Sequence, residues 1–446
     1  MSLTAAAKAM RGKYDGKDMG VFGVTTDTRS VKAGELFVAL KGPNFDGHNF
    51  VSEAANAGAV AAVVSRSINI DLPMVEVEDT RIALGDLAAT WRRQLKGPLI
   101  GVTGSNGKTT VKEMIASIMG LHQQGLVTQG NLNNDIGVPQ TLLRMSKDDK
   151  FAIIEMGMNH TGEIYYLTSM AKPTIAVITN ASEAHLEGLG SIEAVARAKG
   201  EIFAGLPSDG IAIINADDEF APLWKEMAEG RQVITFGIEQ SADVSCDYEL
   251  RPDCSLIHLT TKQGEVDMRL SILGKHNVLN AMAASAASIA AGATLNDVKA
   301  GLEKLRAVSG RLETLDGING ATIIDDTYNA NPASVAAGIE VLRNSGGETI
   351  LVLGDMAELG DAATMIHQRV GELAKRYEIT RLFTLGKLAE NASNGYGKGA
   401  RHYKDAQLLI EDLIDCLNSD VTVLVKGSRL MKMETVVEGI SQRKRS

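Results

Sequence analysis

With 446 residues, the chain is too long for one hydrophobic core and reads as two or three domains. Its formal net charge of −10 argues against a nucleic-acid groove, which needs a basic face, and no apolar run reaches the ~20 residues of a membrane span. Cys246, Cys254 and Cys416 are too few and too scattered for a disulfide framework or a zinc site, and read as reduced thiols of a cytosolic protein.

Met1 to Gly20 is mixed and charged, so no signal peptide is expected. The short strands "GELFVAL", "AVAAVVS" and "MVEVED", with helices over Val51–Ala57 and Ile82–Leu95, predict a small α/β module ending near Gly97-Pro98. Strands over Leu99–Val102, Phe151–Ile154, Ile175–Ile178, Ile211–Ile214 and Val233–Phe236 follow, with helical patterns such as Thr109–Met119 and Ser191–Ala204 between them. These strands are short, apolar on both faces and β-branched, as buried parallel strands are. They predict a doubly wound α/β domain. The Ala-rich run from Asn280 to Ala291 reads as a close-packing helix. After a break near Ser309-Gly310 the alternation restarts, with strands over Thr322–Asp325, Ile350–Leu353, Arg381–Thr384 and Thr422–Val425. The predicted fold is α/β throughout: three consecutive modules over residues 1–97, 98–309 and 310–446, the middle one a doubly wound P-loop domain and the last Rossmann-like.

The stretch "PLIGVTGSNGKTTVKEMIASI", Pro98 to Ile118, carries the strongest chemical signal. A common P-loop reads G-x-x-x-x-G-K-[ST], yet Val102 stands where the first glycine belongs. The context is still strand, glycine turn, then helix. Gly104, Ser105, Asn106 and Gly107 form the turn, and Lys108, Thr109 and Thr110 open a helix whose free N–H groups and dipole face it. Phosphate oxygens fit there, with Lys108 on the outer phosphates and the Thr109 hydroxyl on Mg²⁺.

The shifted glycine matches the G-x-T-G-x-x-G-K-[ST] loop of the Mur ligase family, and the chain resembles that family in order along nearly its whole length. The carrying segments are "TTDTRSVKAGELFVALKGPNFDGH", "TQGNLNNDIGVP", "IIEMGMNHTGEI", "TNASEAHLEGLGS", "ARAKGEIF", "LGKHNVLNAMAA", "GRLE", "DDTYNANPAS", "LGDMAELG" and "VKGSR". The resemblance implies a cytoplasmic ATP- and Mg²⁺-dependent amide ligase of peptidoglycan precursor synthesis, acting as a monomer. "YNANPAS" fits the member that adds D-Ala-D-Ala to UDP-MurNAc-tripeptide. The D-N-P-R-type motif of the third-residue-adding ligase is missing. That ligase and folylpolyglutamate synthetase are the nearest rivals, and a nucleotide-switch ATPase is the rival of a different class.

Activating a carboxylate with ATP crowds a triphosphate, a carboxylate and a developing oxyanion together, so cations must offset their repulsion. Glu155, at the tip of an apolar strand beside the P-loop, is placed to face Mg²⁺. The resemblance makes His185 a ligand of a second Mg²⁺ and Lys199 a carbamylated lysine holding it; a surface lysine is the plainer reading. It assigns Asn280 to adenine or phosphate, with Asn277 beside it or merely capping a helix. It sends Arg311 to the γ-phosphate when the last module closes about Ser309-Gly310. It places Asp326, or equally Asp325, at ATP, with Tyr328 and Asn329 flanking the adenine or ribose. Thr28, Arg29, Asp46 and His48 are the candidates for the UDP moiety. Asn131 and Asn134 are those for the muramoyl-peptide channel, though they could instead cap turns.

Overall fold

The computed structural model describes residues 1–182 and 189–442. Three sheets follow one another along the chain. The first contains β1 (Gly23–Thr25), β2 (Glu35–Val38), β3 (Ala61–Val64) and β4 (Met74–Glu76), parallel and in chain order. Successive side chains point to opposite faces. Leu36, Val38 and Val63 therefore pack with the helices Leu3–Ala9 and Thr80–Arg92, while Phe37, Ala62 and Val64 pack with the helix Val51–Asn56.

The second sheet holds β5 (Leu99–Thr103), β6 (Gly125–Val127), β7 (Phe151–Glu155), β8 (Ile175–Ile178), β9 (Ile211–Asn215), β10 (Gln232–Phe236), β11 (Val244–Leu250), β12 (Ser255–Thr261) and β13 (Gly264–Leu270). Its order is β13-β12-β11-β10-β9-β8-β5-β7-β6. The expected strands are all present, and three of them run one residue further to a polar tip: Thr103, Glu155 and Asn215. β11, β12 and β13 form an antiparallel extension that the sequence patterning did not single out. In β11 the exposed Asp247 and Glu249 alternate with partly covered Tyr248 and Leu250, so no continuous apolar run marks it. β5 lies between β7 and β8, parallel to both, so the strand order reverses there. Ligands of open α/β sheets sit beyond the strand ends at such a reversal.

Two helices close one face of this sheet. Lys108–Met119 buries Val111, Met114, Ile115 and Ile118, and Lys275–Ala290 buries Ala281, Ala283, Ala284, Ala286 and Ala287 against the same core. Small side chains let this second helix lie close to its neighbours, as the Ala-rich run implied.

The third sheet holds β14 (Glu313–Asp316), β15 (Thr322–Asp326), β16 (Glu348–Gly354), β17 (Arg381–Leu385), β18 (Ala400–Tyr403) and β19 (Val421–Lys426), in the order β14-β15-β19-β16-β17-β18. All pairs are parallel except β14 with β15. Asp326 and Lys426 are register partners at the ends of β15 and β19. Among the described residues no helix is long and apolar enough to cross a membrane.

Candidate active site

The loop after β5 shows why its glycines stand where they do. Gly107 caps the helix Lys108–Met119 with φ +81°, and a Cβ there would lie 2.4 Å from Asn280 Oδ1. A Cβ on Gly104 would lie 1.8 Å from Thr179 Oγ1. The close approaches, and not the common P-loop spacing, select these positions. The loop is bound to the segment after β8: Asn106 N donates to Asn180 Oδ1 at 2.9 Å, Asn106 Nδ2 to Ser182 Oγ at 2.9 Å, and Thr179 Oγ1 to Asn106 O at 2.5 Å. Lys108 Nζ curls back over the loop and donates to Gly104 O at 2.6 Å and Ser105 O at 3.2 Å. Burial lowers this ammonium from the usual lysine range; the Glu155 charge opposes the fall and the Arg311 charge adds to it.

Glu155, at the tip of β7, is 2% exposed. Its Oε2 accepts from Thr109 Oγ1 at 2.9 Å, and its Oε1 accepts from Asn133 Nδ2 at 2.8 Å. The buried Lys112 Nζ lies 3.9 Å from Oε2 and donates to Thr128 O at 2.8 Å. Among the described residues no three His, Cys, Asp or Glu side chains gather as a metal cage. A hydroxyl and a carboxylate in contact beside a phosphate cradle nonetheless suit Mg²⁺, which takes few protein oxygens and completes its shell with phosphates and water. Lys199 is 2% exposed. Burial, with the charge of Lys108 adding, holds this amine well below the usual lysine range. His185 lies outside the described residues.

The third sheet meets the P-loop directly. Arg311 Nη2 donates to Thr109 Oγ1 at 3.0 Å, and its guanidinium lies 4.1 Å from the centre of the Tyr328 ring. Gly310, at φ +74°, accepts from Tyr328 N at 3.0 Å, which fixes the platform beneath Arg311. Asn331 Nδ2 donates to Asn106 Oδ1 at 2.7 Å while capping the helix Pro332–Arg343. Strand alternation turns the two aspartates to opposite faces. Asp325 is fully buried and accepts from Thr327 N and Oγ1, whereas Asp326 faces the cavity and pairs with Lys426 Nζ at 2.5 Å. Burial pushes the Asp326 carboxyl up, and Lys426 then Arg311 oppose it. Lys426 Nζ also donates to Asn329 O at 2.9 Å.

Removing one partner of a buried pair strands the other charge. Lys426→Met is therefore expected to destabilise the protein by about 3–5 kcal/mol. Urea unfolding checks this, and Asp326→Asn in the same chain should recover part of the loss.

Asn277 does not cap its helix. Gly274 holds that position, and Asn277 Nδ2 donates to Leu273 O at 2.8 Å, leaving Asn277 Oδ1 to accept from Asn280 Nδ2 at 3.0 Å. His276 stands beside them on the cavity wall; burial, aided by the charge of Lys426, holds its imidazole down at about 4, so it is neutral near pH 7.

These groups line one cavity of about 1310 Å³. From the sequence candidates it gathers Ser105, Asn106, Gly107, Lys108, Thr109, Thr110, Asn131, Asn134, Glu155, Asn277, Asn280, Arg311, Asp326, Tyr328 and Asn329. Lys199 is buried and is not among the lining side chains. Thr28 and Arg29 form an exposed turn outside it, where Arg29 forks onto Asp27 at 2.6–3.1 Å. Asp46 and His48 also lie outside: His48 is buried, with Nδ1 on Asp46 at 2.6 Å and Nε2 accepting from Ser65 N at 2.9 Å. Ser65 and Arg81 line a smaller cleft of about 370 Å³ in the first unit. Arg81 lines both cavities and pairs with Asp135 at 2.9 Å. Arg81, Asn133, Asn331, His276 and Lys426 were not picked out as site residues. All but Arg81 lie inside quoted segments, and only neighbours distant in sequence set their directions.

Three family descriptions match the chain in turn: the Mur ligase family catalytic domain over residues 21–92, the Mur ligase middle domain over 102–288, and the Mur ligase glutamate ligase domain over 310–429. The chain is 43% identical over 446 residues to the UDP-N-acetylmuramoyl-tripeptide–D-alanyl-D-alanine ligase of Escherichia coli (strain K12), covering 99% of this chain and 98% of that one. A solved structure of MurF from Acinetobacter baumannii matches with a TM-score of 0.92 and 36% identity over 97% of each chain. The MurF ligase of Thermotoga maritima, solved in complex with ADP, matches with a TM-score of 0.85 and 29% identity, covering 94% of this chain and 96% of that one.

Proposed function

The chain belongs to the Mur ligase family, and from that premise we propose that it joins D-Ala-D-Ala to UDP-MurNAc-tripeptide at the expense of ATP, releasing ADP and phosphate, in peptidoglycan precursor synthesis. The observation that carries this reading is the meeting of Lys108, Thr109 and Glu155 of the second unit with Arg311 of the third at one cavity wall. The tripeptide carboxylate attacks the γ-phosphorus of ATP, ADP leaves, and an acyl phosphate forms. The dipeptide amine then attacks the acyl carbon, and the tetrahedral intermediate collapses to amide and phosphate.

Residues 1–97 hold the UDP moiety, 98–309 hold ATP, and 310–446 bring the dipeptide and close over the nucleotide. The P-loop amides from Gly104 to Thr110 cradle the phosphates, and Lys108 and Arg311 offset charge that grows on the transferring group. Thr109 and Glu155 would hold Mg²⁺, which when bound neutralises phosphate charge. Asn280, Asp326, Tyr328 and Asn329 orient the nucleotide. Tyr328 does so through Arg311, which its ring supports. Asn131 and Asn134 face the muramoyl peptide. Thr28, Arg29, Asp46 and His48 act at the UDP end, and His185 with carbamylated Lys199 at a second Mg²⁺. The enzyme works in the cytoplasm as a monomer.

An ADP-release assay with UDP-MurNAc-tripeptide and a panel of dipeptides tests this. ADP should appear only with both substrates, and fastest with D-Ala-D-Ala. Phosphate release that ignores the dipeptide would instead identify a nucleotide switch. Lys199 has its own test. Carbamylation needs a neutral amine, which its burial supplies. Lys199→Ala should lose about 10- to 100-fold in activity, and acetate should restore part by returning a carboxylate. Lys199→Arg should not recover, because the role is anionic. Full activity of Lys199→Ala would remove this residue from the site.

A further inference from the structure

The P-loop threonine is only half of what holds Glu155. Its second oxygen, Oε1, accepts from Asn133 Nδ2 at 2.8 Å. A carboxylate has no proton to give, so the amide of Asn133 must present its NH₂ group there. Asn133 is fixed in turn. Its carbonyl accepts from Gly157 N at 2.8 Å, and a Cβ on Gly157 would lie 2.9 Å from Asn133 Oδ1, so backbone closes on the amide. The loop is anchored just after Asn133: Asn134 Oδ1 accepts from Gly137 N at 2.8 Å, and Asp135 takes Arg81 of the first unit at 2.9 Å.

We infer that Asn133 is a positioning residue for the divalent cation, acting through Glu155. This rests on the reading of Glu155 as a Mg²⁺ ligand. The plane of a glutamate carboxylate is set by a soft terminal torsion, so a lone carboxylate at a strand tip would present its lone pairs in many directions. Asn133 occupies one oxygen with a neutral donor that cannot displace a cation. The other oxygen is thereby turned toward Thr109. The loop that supplies Asn133 also lines the substrate cavity through Asn131 and Asn134, so the ligand is set from the substrate side as well as from the nucleotide side.

Mn²⁺ titrated into the full-length enzyme with ADP, followed by electron paramagnetic resonance, tests this. Partners behind metal ligands typically change affinity by about 10- to 100-fold. Asn133→Leu, close in volume but without donors, should weaken Mn²⁺ binding by such a factor and raise the Mg²⁺ concentration needed for half-maximal turnover in parallel. Metal-free ADP binding should stay near that of the parent chain, while the metal-free thermal midpoint should fall modestly, because Glu155 Oε1 loses its donor. Asn133→Ser, which keeps a small hydroxyl donor, serves if the leucine variant does not fold, and should fall between the two. Unchanged Mn²⁺ affinity in the Asn133 variants, with Glu155→Ala losing the metal, would overturn the positioning role and leave Glu155 as a ligand. Unchanged affinity in Glu155→Ala as well would overturn the metal reading itself.

Discussion

Arg311→Ala is expected to lower kcat by about 10³-fold or more, the scale of removing an arginine that reaches a transferring phosphoryl group. The guanidinium bridges two units that are far apart in sequence, donating to Thr109 from a stack on Tyr328. Its Nε is buried and has no hydrogen-bond partner among the described residues. A buried donor left unmatched costs free energy, and an anionic oxygen on the transferring phosphate would satisfy it. The loss should therefore fall on turnover, with ADP binding little altered, because ADP lacks the group that moves. Arg311→Lys should recover little, since an ammonium offers neither the planar fork nor the flat face that stacks on the ring. Turnover near that of the parent chain in Arg311→Ala would remove the arginine from the transfer step.

Lys108→Ala should lower kcat by about 10²- to 10³-fold, as loss of one preorganised charge-stabilising donor does. In the structure Nζ is folded onto two carbonyls of its own loop, Gly104 O and Ser105 O. Those contacts hold the ammonium at the mouth of the cradle, and a phosphate oxygen arriving there would compete for the same protons. The side chain packs at the cavity and outside the apolar cores, so circular dichroism and the thermal midpoint should change little. Lys108→Met, which keeps the stem but not the charge, should match the alanine variant. Near-parental turnover with normal circular dichroism would overturn the nucleotide assignment.

The two variants also separate the contributions of the two units. On the proposed reading Lys108 belongs to the phosphate cradle, and its loss should weaken ATP binding as well as turnover. Arg311 comes from the third unit, and its loss should leave a cradle that still holds nucleotide. A kcat effect without a nucleotide-affinity effect is thus expected of Arg311 alone.

The local order of residues by itself determined the middle of the molecule. Short apolar runs specify buried parallel strands, and the glycine turn before Lys108-Thr109 specifies a helix start. Polar residues following such runs, Glu155 and Asp326 among them, fall at strand tips because a strand buried on both faces must end where polarity begins. Tertiary structure decided what periodicity could not carry. Asp325 and Asp326 are adjacent and chemically alike, and only the pleat, which turns one inward to Thr327 and the other toward Lys426, tells them apart. Tyr328 reads from sequence as a nucleotide contact, and only the structure shows that its ring also supports Arg311. Asn133 is set apart from Asn131 and Asn134 by its amide, which reaches Glu155 from 22 residues away. Arg29 reads as an anion partner, and only the structure shows that its guanidinium is forked onto Asp27, the partner an arriving anion would have to displace. Spacing along the chain reports which face of an element a residue occupies. Which group stands opposite that face is set by how the three sheets pack, and that information resides in contacts between segments far apart in sequence.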